Sequence, residues 1–502
     1  MPHPIEPGLR LPLHDVQGTR ALEQTAAATL APHTLMQRAG LATARLALAL
    51  APHARRVWIA CGPGNNGGDG LEAAVHLQHW GLAPIVTWLG EPGRLPADAE
   101  ASWQRARAAG VRFADEPPQG LAPTDLCIDA LLGIGAARAP AGRLAEWLAC
   151  LRRSPAPMLC VDLPTGLDAD TGVDHGAAAL ATAGAPEPAG PRHTLSLLTL
   201  KPGLFTAQGR DACGRIWFHD LGVASGHGVP VAWLSPEPPA RARPHTSHKG
   251  RFGDVAIVGG EGLAARGMAM GGAVLLAASA ALHGGAGRVL VCPLDPETVG
   301  LDSSQPELMF RRWPALAPSL DRLTVVCGCG GGEAVFAVLP RILRRAARLV
   351  LDADALNAIA GMPDWQALLR DRTGAWQPTI LTPHPLEAAR LLGTSTQAVQ
   401  ADRLDAARAL ATRFQATVVL KGSGTVIAAP GQAPYVNPTG NGRLATAGTG
   451  DVLAGLVGSA LASGLPAFEA ASAAVYQHGA VADHWPTTAA LTAGALARHL
   501  RP

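Results

Sequence analysis

Val57-Trp-Ile-Ala-Cys-Gly-Pro-Gly-Asn-Asn-Gly-Gly-Asp-Gly70 begins as an apolar run, breaks into glycines and amides, and passes into a helical pattern at Leu71–Trp80. The order predicted is strand, glycine-rich turn, helix. The turn contains Gly62-x-Gly64-x-x-Gly67, the dinucleotide-binding spacing in the strand-to-helix setting that gives it meaning. Glycine permits positive φ and close approach of a ligand, and a helix start offers free N–H groups and a positive dipole end to an anion. A plain turn is the bland alternative, since Asn-Gly and Gly-Gly are common turn formers. Asp69 is unusual in such a loop, because a carboxylate there would repel a pyrophosphate. Asn65, Asn66 and Asp69 instead offer hard oxygens to hydroxyls or a cation.

Short apolar runs alternate with helical patterns outward from this stretch. In the first half a helical pattern spans Thr34 to Leu50, and the runs are Val57–Cys61, Pro84–Leu89, Leu126–Asp129, Met158–Asp162 and Leu195–Leu200. From Gly222 to about His248 the alternation stops, and Ser235-Pro-Glu-Pro-Pro with Arg241-Ala-Arg-Pro-His reads as a linker. It restarts with Val255–Val258, Arg288–Val291, Leu323–Cys327, Leu349–Asp352, Thr379–Thr382 and Thr417–Leu420. Such alternation predicts mostly parallel sheets. The chain therefore reads as two α/β domains, roughly residues 1–225 and 240–502, each long enough for its own core.

Composition narrows the function classes. An apolar fraction of 48% excludes a disordered chain. A formal charge of +2 argues against a dedicated nucleic-acid or membrane-surface binder, which needs a concentrated basic face. Two long uncharged stretches, Gly267–Gly287 and Val452–Phe468, are built mostly from small residues and Leu, with a His in one and a Pro in the other. They read as buried helices rather than membrane spans. No apolar signal core follows Met1-Pro-His-Pro4, and the eight Cys read as free thiols, so a reducing, cytoplasmic setting is expected. Cys327-Gly-Cys329 has no second pair at zinc spacing. Of 41 basic residues only three are Lys: Lys201, Lys249 and Lys421. Where Arg is used almost everywhere, a remaining Lys could mark a place that needs a compact ammonium.

Two acids of the first half end predicted strands. Asp129 ends Leu126-Cys-Ile-Asp, and Asp162 ends Met158-Leu-Cys-Val-Asp and precedes Leu163-Pro-Thr-Gly166. Ligands of open α/β sheets bind outside the carboxyl ends of the strands, so Asn66, Asp129, Asp162 and Thr165 could converge on one mouth. Singly, an Asp before a turn is often a local cap. The set of four carries the functional reading.

In the second half, Asn441-Gly-Arg-Leu-Ala-Thr-Ala-Gly-Thr-Gly-Asp451 precedes the apolar helical pattern Val452–Leu461. Gly448-Thr-Gly450 at a helix start forms an anion hole, with Asp451 in the first turn as a base for phosphoryl transfer. The helix dipole is expected to keep Asp451 ionised. Lys421-Gly-Ser-Gly-Thr425 follows a predicted strand and looks like a second phosphate loop. The sequence has no GxxxxGK[ST] and no HRD or DFG set, against a P-loop NTPase or a protein kinase.

Asn65-Asn-Gly-Gly-Asp69, Asp129-Ala-Leu-Leu-Gly-Ile-Gly135 and Asp162-Leu-Pro-Thr-Gly166 together resemble the NAD(P)H-hydrate epimerase domain, over roughly residues 10–225. The resemblance implies a Rossmann-like three-layer α/β/α domain that interconverts the R and S forms of hydrated NADH and NADPH. It implies contacts to the hydrated nucleotide from Asn65, Asn66, Gly67, Gly68, Asp69, Gly133, Ile134, Gly135, Ala136, Ala137, Arg138, Ala139 and Asp162. It also implies a potassium ion near Asn66, Asp129 and Thr165, the last standing where many relatives have Ser. Epimerisation by reversible loss and return of a group needs an acid/base, and Asp162 is the expected one.

From about residue 245 to 500, five motifs resemble ADP-dependent NAD(P)H-hydrate dehydratase, of ribokinase-like fold. They are His248-Lys-Gly-Arg-Phe-Gly253, Gly285-Ala-Gly-Arg-Val289, Pro306-Glu-Leu-Met309, Asp352-Ala-Asp-Ala-Leu-Asn357 and Thr382-Pro-His-Pro385. The resemblance implies that Ala273, Gly330, His384 and Asp451 contact the hydrated nucleotide, with Asp451 catalytic. Lys421, Gly422, Ser423, Gly424, Thr425 and Gly450 would contact ADP or AMP, with magnesium on the phosphates. Gly328-Cys-Gly-Gly-Gly332 departs from the Gly-Pro-Gly-Leu-Gly of relatives. The combined expectation is a bifunctional, homo-oligomeric repair enzyme with small-molecule substrates and no nucleic-acid or membrane partner. The rival is a ribokinase-type small-molecule kinase fused to a nucleotide-binding domain, which would leave a stable phosphoester instead of free phosphate.

Overall fold

The computed structural model describes residues 1–135, 138–177, 190–223, 228–240, 243–263, 267–295, 297 and 300–501. The chain forms two compact units, Met1–Glu6 with Leu11–Ala232, and Pro7–Arg10 with Trp233–Pro502.

In the first unit the strands run in the order His3–Pro4, Arg215–His219, Arg192–Leu197, Met158–Val161, Leu126–Ala130, Val57–Cys61, Pro84–Trp88, Arg112–Ala114. All neighbours are parallel except the first pair. Along the central strand the side chains alternate between two cores. Val57, Ile59 and Cys61 pack with residues of the helices Thr34–Leu50 and Asn65–His79. Trp58 and Ala60 pack with Trp147, Leu148 and Leu151 of the helix Gly142–Arg153. A sheet covered on both faces needs strands that are apolar throughout, which is how these runs read. The sequence run Leu195–Leu200 is cut short as a strand at Leu197, because Leu198 takes a left-handed backbone at φ 64°.

After the short edge strand His3–Pro4, the chain enters the parallel part of this sheet in the middle, at Val57–Cys61, moves outward through Pro84–Trp88 and Arg112–Ala114, then crosses to Leu126–Ala130 on the other side. That reversal opens a crevice between the loops that follow Cys61 and Ala130. The loops touch: the Gly62 amide donates to the Ala130 carbonyl at 3.0 Å. A Cβ at residue 62 would lie 1.8 Å from the Leu131 carbonyl oxygen, so only glycine allows the approach.

The second unit orders its strands Met309–Phe310, Arg288–Pro293, Asp254–Gly259, Thr324–Cys327, Arg348–Leu351, Thr379–Leu381, Thr417–Leu420, Val426–Ala428, Tyr435–Val436. They are parallel up to Thr417–Leu420, after which the chain returns antiparallel. Trp233 and Leu234, inside the expected linker, pair with Tyr435 and Val436, and the Arg10 guanidinium lies 4.0 Å from the Trp233 ring centroid. Val255, Ile257, Val291 and Val326 share a core with helices Gly271–His283, Thr449–Ala462, Ala467–Asp483 and Ala493–His499. The alternate strand residues Ala256, Val258, Val325 and Leu349 are equally buried.

The two long uncharged stretches supply a closely packed helix pair of this layer. A Cβ at Gly455 would lie 2.0 Å from the Ala277 carbonyl oxygen, so the small residues are what let the two backbones meet. Among the described residues no helix is long and apolar enough to cross a membrane. All eight cysteines are free.

Candidate active sites

At the reversal point of the first sheet lies a cavity of about 590 Å³, a size common for ligand sites. Its walls include Asn65, Asn66 and Asp69 from the start of the helix Asn65–His79, Gly133, Ile134 and Gly135 from the loop after Ala130, and Asp162 and Lys201. Asp162 follows the strand Met158–Val161 with φ 65°, while the Leu163 amide bonds the Val161 carbonyl at 2.8 Å. This is a tight three-residue turn in a conformation that costs a non-glycine residue free energy, and such costs concentrate at functional sites. Leu198, also on the cavity wall, repeats the device: φ 64°, with the Thr199 amide on the Leu197 carbonyl at 2.7 Å.

Lys201 is wholly buried and its ammonium donates to Asp162 Oδ1, to the Leu197 carbonyl at 2.8 Å and to Ser196 Oγ at 3.3 Å. Asp162 Oδ2 and Asn66 Oδ1 converge over Gly133, where an added Cβ would lie 3.3 Å and 3.2 Å from them. The surroundings of Asp69 work against the charge its position threatens. Burial lifts its carboxyl well above the ordinary range, and the charges of Asp162 and Glu23 add to the rise. A shift in this direction favours the neutral acid and so lessens the repulsion of a phosphate.

Asp129 is fully buried one layer beneath. Its Oδ1 accepts from Thr165 Oγ1 at 2.6 Å and from the Leu131 amide at 3.2 Å, and its Oδ2 from the Thr165 amide at 3.0 Å. Burial raises its carboxyl despite these bonds. Among the described residues it forms no ion pair, since the nearby Arg152 is bound to Asp174 at 2.9 Å. The buried Asn66 Nδ2 has no hydrogen-bond partner. The Asp129 carboxylate, short of positive charge, and the Thr165 hydroxyl beside it are hard oxygens of the kind that suits a monovalent cation.

In the second unit, the groups converge at the carboxyl edge of the parallel strands. Gly448, at φ 88°, caps the helix Thr449–Ala462, whose first-turn amides have no intrahelical carbonyl to reach. Asp451 lies in that turn. The Cys329 sulfur and carboxylate oxygens of Asp352 and Asp451 lie within 4.8 Å of one another. Lys421 Nζ donates to Asp352 Oδ1 at 2.7 Å, as does Thr382 Oγ1 at 2.7 Å. The same ammonium is 3.5 Å from where a Cβ on Gly450 would be. Burial acts to lower Lys421, but Asp352 and Glu387 outweigh it, so the ammonium stays charged.

Asp451 departs from the expectation that the helix dipole keeps it ionised. Burial and the charge of Asp352 push its carboxyl up to about 7, against the pull of Cys329 and Lys421. Desolvation acts on the whole charge, whereas a helix end supplies about half a charge. The outcome suits a base, because proton transfer is best served by a group poised near the working pH.

Two family models match the chain in order: one described as YjeF-related protein N-terminus over residues 32–203, and one described as NAD(P)H-hydrate dehydratase over residues 257–501. The bifunctional NAD(P)H-hydrate repair enzyme Nnr of Escherichia coli K12 is 35% identical over 473 residues, covering 90% of this chain and 85% of that protein. The chain belongs to the bifunctional NAD(P)H-hydrate repair enzymes. The ADP-dependent (S)-NAD(P)H-hydrate dehydratase of Neisseria meningitidis serogroup B is 45% identical over 267 residues, which is 52% of this chain and 87% of that protein. Among solved structures, an ADP/ATP-dependent NAD(P)H-hydrate dehydratase from Bacillus subtilis, co-crystallised with ATP and Mg2+, is 30% identical, spans 51% of this chain and 91% of its own, and has a TM-score of 0.41.

For a repair enzyme of this family, the sequence expectations land unevenly. Asn65, Asn66, Asp69, Gly133, Ile134, Gly135 and Asp162 line one cavity. Gly67 and Gly68 are turned into the protein: a Cβ on the first would strike the Gly62 carbonyl oxygen at 2.0 Å and on the second Met36 at 2.8 Å. Ala136 and Ala137 lie outside the described residues, and Arg138 and Ala139 are exposed away from the cavity wall. Ala273 and Gly330 pack together, a Cβ on Gly330 falling 2.9 Å from that of Ala273. His384 caps the helix Pro385–Leu392: its Nδ1 accepts the Leu386 amide at 3.1 Å, and Glu387 accepts the His384 amide at 2.8 Å.

The second phosphate loop is held from behind. Arg403, buried, donates to the Leu420 carbonyl at 3.2 Å and the Lys421 carbonyl at 3.1 Å, while Gly422 and Ser423 face solvent and Gly424 is buried. Thr425 Oγ1 donates back to the Gly422 carbonyl at 3.0 Å.

The residues without an assigned role at the sequence level are Lys201, Asp352 and Cys329. Lys scarcity singled out Lys201, but its partner lies 39 positions away and only the sheet order joins them. Lys249, the third lysine, is exposed.

Proposed function

We propose that this chain repairs hydrated NADH and NADPH in two steps, one per unit. The first unit epimerises the R form to the S form. The second dehydrates the S form with ADP, giving NAD(P)H, AMP and phosphate. The observation that carries the reading is a matched pair of sites at strand carboxyl ends, each with a lysine beside its acid group: Asp162 with Lys201, and Asp451 near the Lys421–Asp352 pair.

In the first unit, epimerisation requires the hydroxyl on the ring carbon to leave and return on the other face. Asp162 exchanges the proton at its free Oδ2, which faces the cavity, while Lys201 holds Oδ1 and fixes the carboxylate. Asn65, Asn66 and the Gly133–Gly135 loop would position the nucleotide. A potassium ion would be held by Asn66, Asp129 and Thr165, where it would offset the buried carboxylate charge.

In the second unit, Asp451 takes the proton of the substrate hydroxyl as that oxygen attacks the β-phosphorus of ADP, and AMP leaves. The first-turn amides and Lys421 receive the charge on the transferred group. Phosphate then departs from the ring carbon with the C–O electron pair, and loss of the neighbouring proton restores the double bond. Magnesium would offset the charge of the nucleotide phosphates. The free thiols fit a reducing compartment, and we place the enzyme in the cytoplasm. Incubation with pure S-form hydrated NADH and ADP tests the reading. Dihydronicotinamide absorbance should return with one phosphate and one AMP per NADH; a stable phosphoester would overturn it.

A further inference from the structure

The turn after the strand Thr324–Cys327 places a sulfur against the base of the second unit. Its backbone is left-handed at Gly328, Gly330 and Gly332, with φ of 120°, 55° and 51°. A Cβ at 328 would lie 1.9 Å from the Asp352 carbonyl oxygen, and one at 330 would lie 2.7 Å from Met270 Cβ. The turn is therefore pinned on both sides of Cys329, whose side chain has no exposure and is aimed at Asp352 and Asp451.

We propose that the Cys329 thiol is a positioning residue for Asp451: its S–H donates to the carboxylate, orients it toward the substrate hydroxyl and favours its ionised form. The inference rests on the dehydratase reading for its consequence, but the contact itself does not.

Two carboxylates compete for one thiol proton. The sulfur lies 4.0 Å from Asp352 Oδ2, and an Asp451 carboxylate oxygen lies within 4.8 Å of it, so rotation about the Cβ–Sγ bond can turn the S–H toward either. Asp352 is already served by Lys421 and Thr382 at its other oxygen, so the thiol matters most to Asp451. Burial, with Asp451 and Asp352, pushes the thiol far up, so it stays protonated and acts as a donor rather than a nucleophile. A donor to a carboxylate favours the charged form.

The other groups at this edge are known. Asp352 and Asp354 follow the strand Arg348–Leu351, Glu261 follows Asp254–Gly259, and Lys421 follows Thr417–Leu420. From the helix Ala467–Asp483, His478 Nε2 meets the Thr449 carbonyl at 3.0 Å, and burial pushes this histidine down to about 4, so it is neutral. The helix Gly271–His283 carries its one titratable group, His283, in its last turn, as Ala493–His499 does Arg498 and His499. Among these, Cys329 and Lys421 pull Asp451 down, while Asp352 and Asp354 push it up.

The test compares the wild type with Cys329→Ser, which keeps a donor, and Cys329→Ala, which removes it. Two readouts are taken: the Asp451 carboxyl titration, by NMR of aspartate-labelled protein with Asp451→Asn for assignment, and the pH profile of kcat/KM for dehydration. In Cys329→Ala the Asp451 titration and the acidic limb should move up together by roughly half a unit to one unit, a three- to tenfold loss of rate on that limb. Cys329→Ser should keep both near wild type, and calorimetric ADP affinity should be unchanged in all three. An Asp451 titration that is the same in all three proteins would overturn the inference. So would a loss of rate with no shift of the limb, which is what a merely structural role gives. If wild type dehydrates nothing, the function assigned above fails, while the NMR titration still decides the thiol contact.

Discussion

Asp451→Asn keeps the shape of the side chain at the start of the helix Thr449–Ala462 but cannot take a proton. Removing a general base typically costs about 10²–10⁴-fold in rate, so dehydration of the S form should fall by that factor. ADP binding should stay near normal, because the anion hole is backbone. Epimerisation should be untouched, since it belongs to the other unit. With the wild-type carboxyl near 7, kcat/KM should rise through neutrality, with about a tenth of the sites ionised at pH 6 and about nine-tenths at pH 8. The same shift sets a stability effect whose sign can be worked out. The folded-state value lies above the unfolded one, so the contribution of this group is fully present below about pH 4 and is lost as pH rises through 7. At pH 8 the wild type has lost up to roughly 4 kcal/mol that the Asn variant has not. The variant should therefore be slower yet more resistant to urea at pH 8, with the gap closing by pH 4. The assay is phosphate release from S-form hydrated NADH, paired with urea unfolding at the two pH values. A variant that dehydrates at near the wild-type rate would remove Asp451 from the mechanism, and one that is no more stable at pH 8 would refute the desolvation argument.

Lys201→Met leaves Asp162 as an unpaired buried charge, so the first unit should lose about 3–5 kcal/mol in denaturant unfolding at neutral pH, and epimerisation with it. Adding Asp162→Asn should restore part of the stability and none of the activity; equal stability of Lys201→Met and wild type would show that the pair is not held. Asp129→Ala should abolish the dependence of epimerisation on monovalent cations and slow it, while dehydration of pure S form continues; normal epimerisation with no heavy monovalent ion at that site in soaked crystals would contradict this. Lys421→Arg should weaken ADP binding in calorimetry and slow dehydration, because the flat guanidinium cannot sit between Asp352 and Gly450 as the ammonium does. Unchanged affinity and rate would show that the site accepts any cation.

The backbone of both sites was legible in the chain because strand ends and glycine turns leave local marks. Asp129, Asp162 and Asp451 each sit where an apolar run stops or a helix starts, so their placement needs only neighbouring residues. What was not legible needs the sheet order. Lys201 reaches Asp162 because the strands Met158–Val161 and Arg192–Leu197 are neighbours, and nothing near either residue announces the other. Asp352 and Lys421 meet across the strand Thr379–Leu381 for the same reason. The ionisation of Asp451 is not legible locally, because the dipole is a sequence-local effect, whereas desolvation depends on what packs over the group. Gly67 and Gly68 show the reverse case, where a motif marks close backbone packing as readily as a ligand contact.

The most direct test of two activities in one chain uses an equal mixture of R and S hydrated NADH with excess ADP. The wild type should restore dihydronicotinamide absorbance to nearly the full amount, whereas Asp162→Asn should stop near half, when the S form is exhausted, and continue only at the spontaneous rate of epimerisation. A wild type that also stops near half would contradict the account.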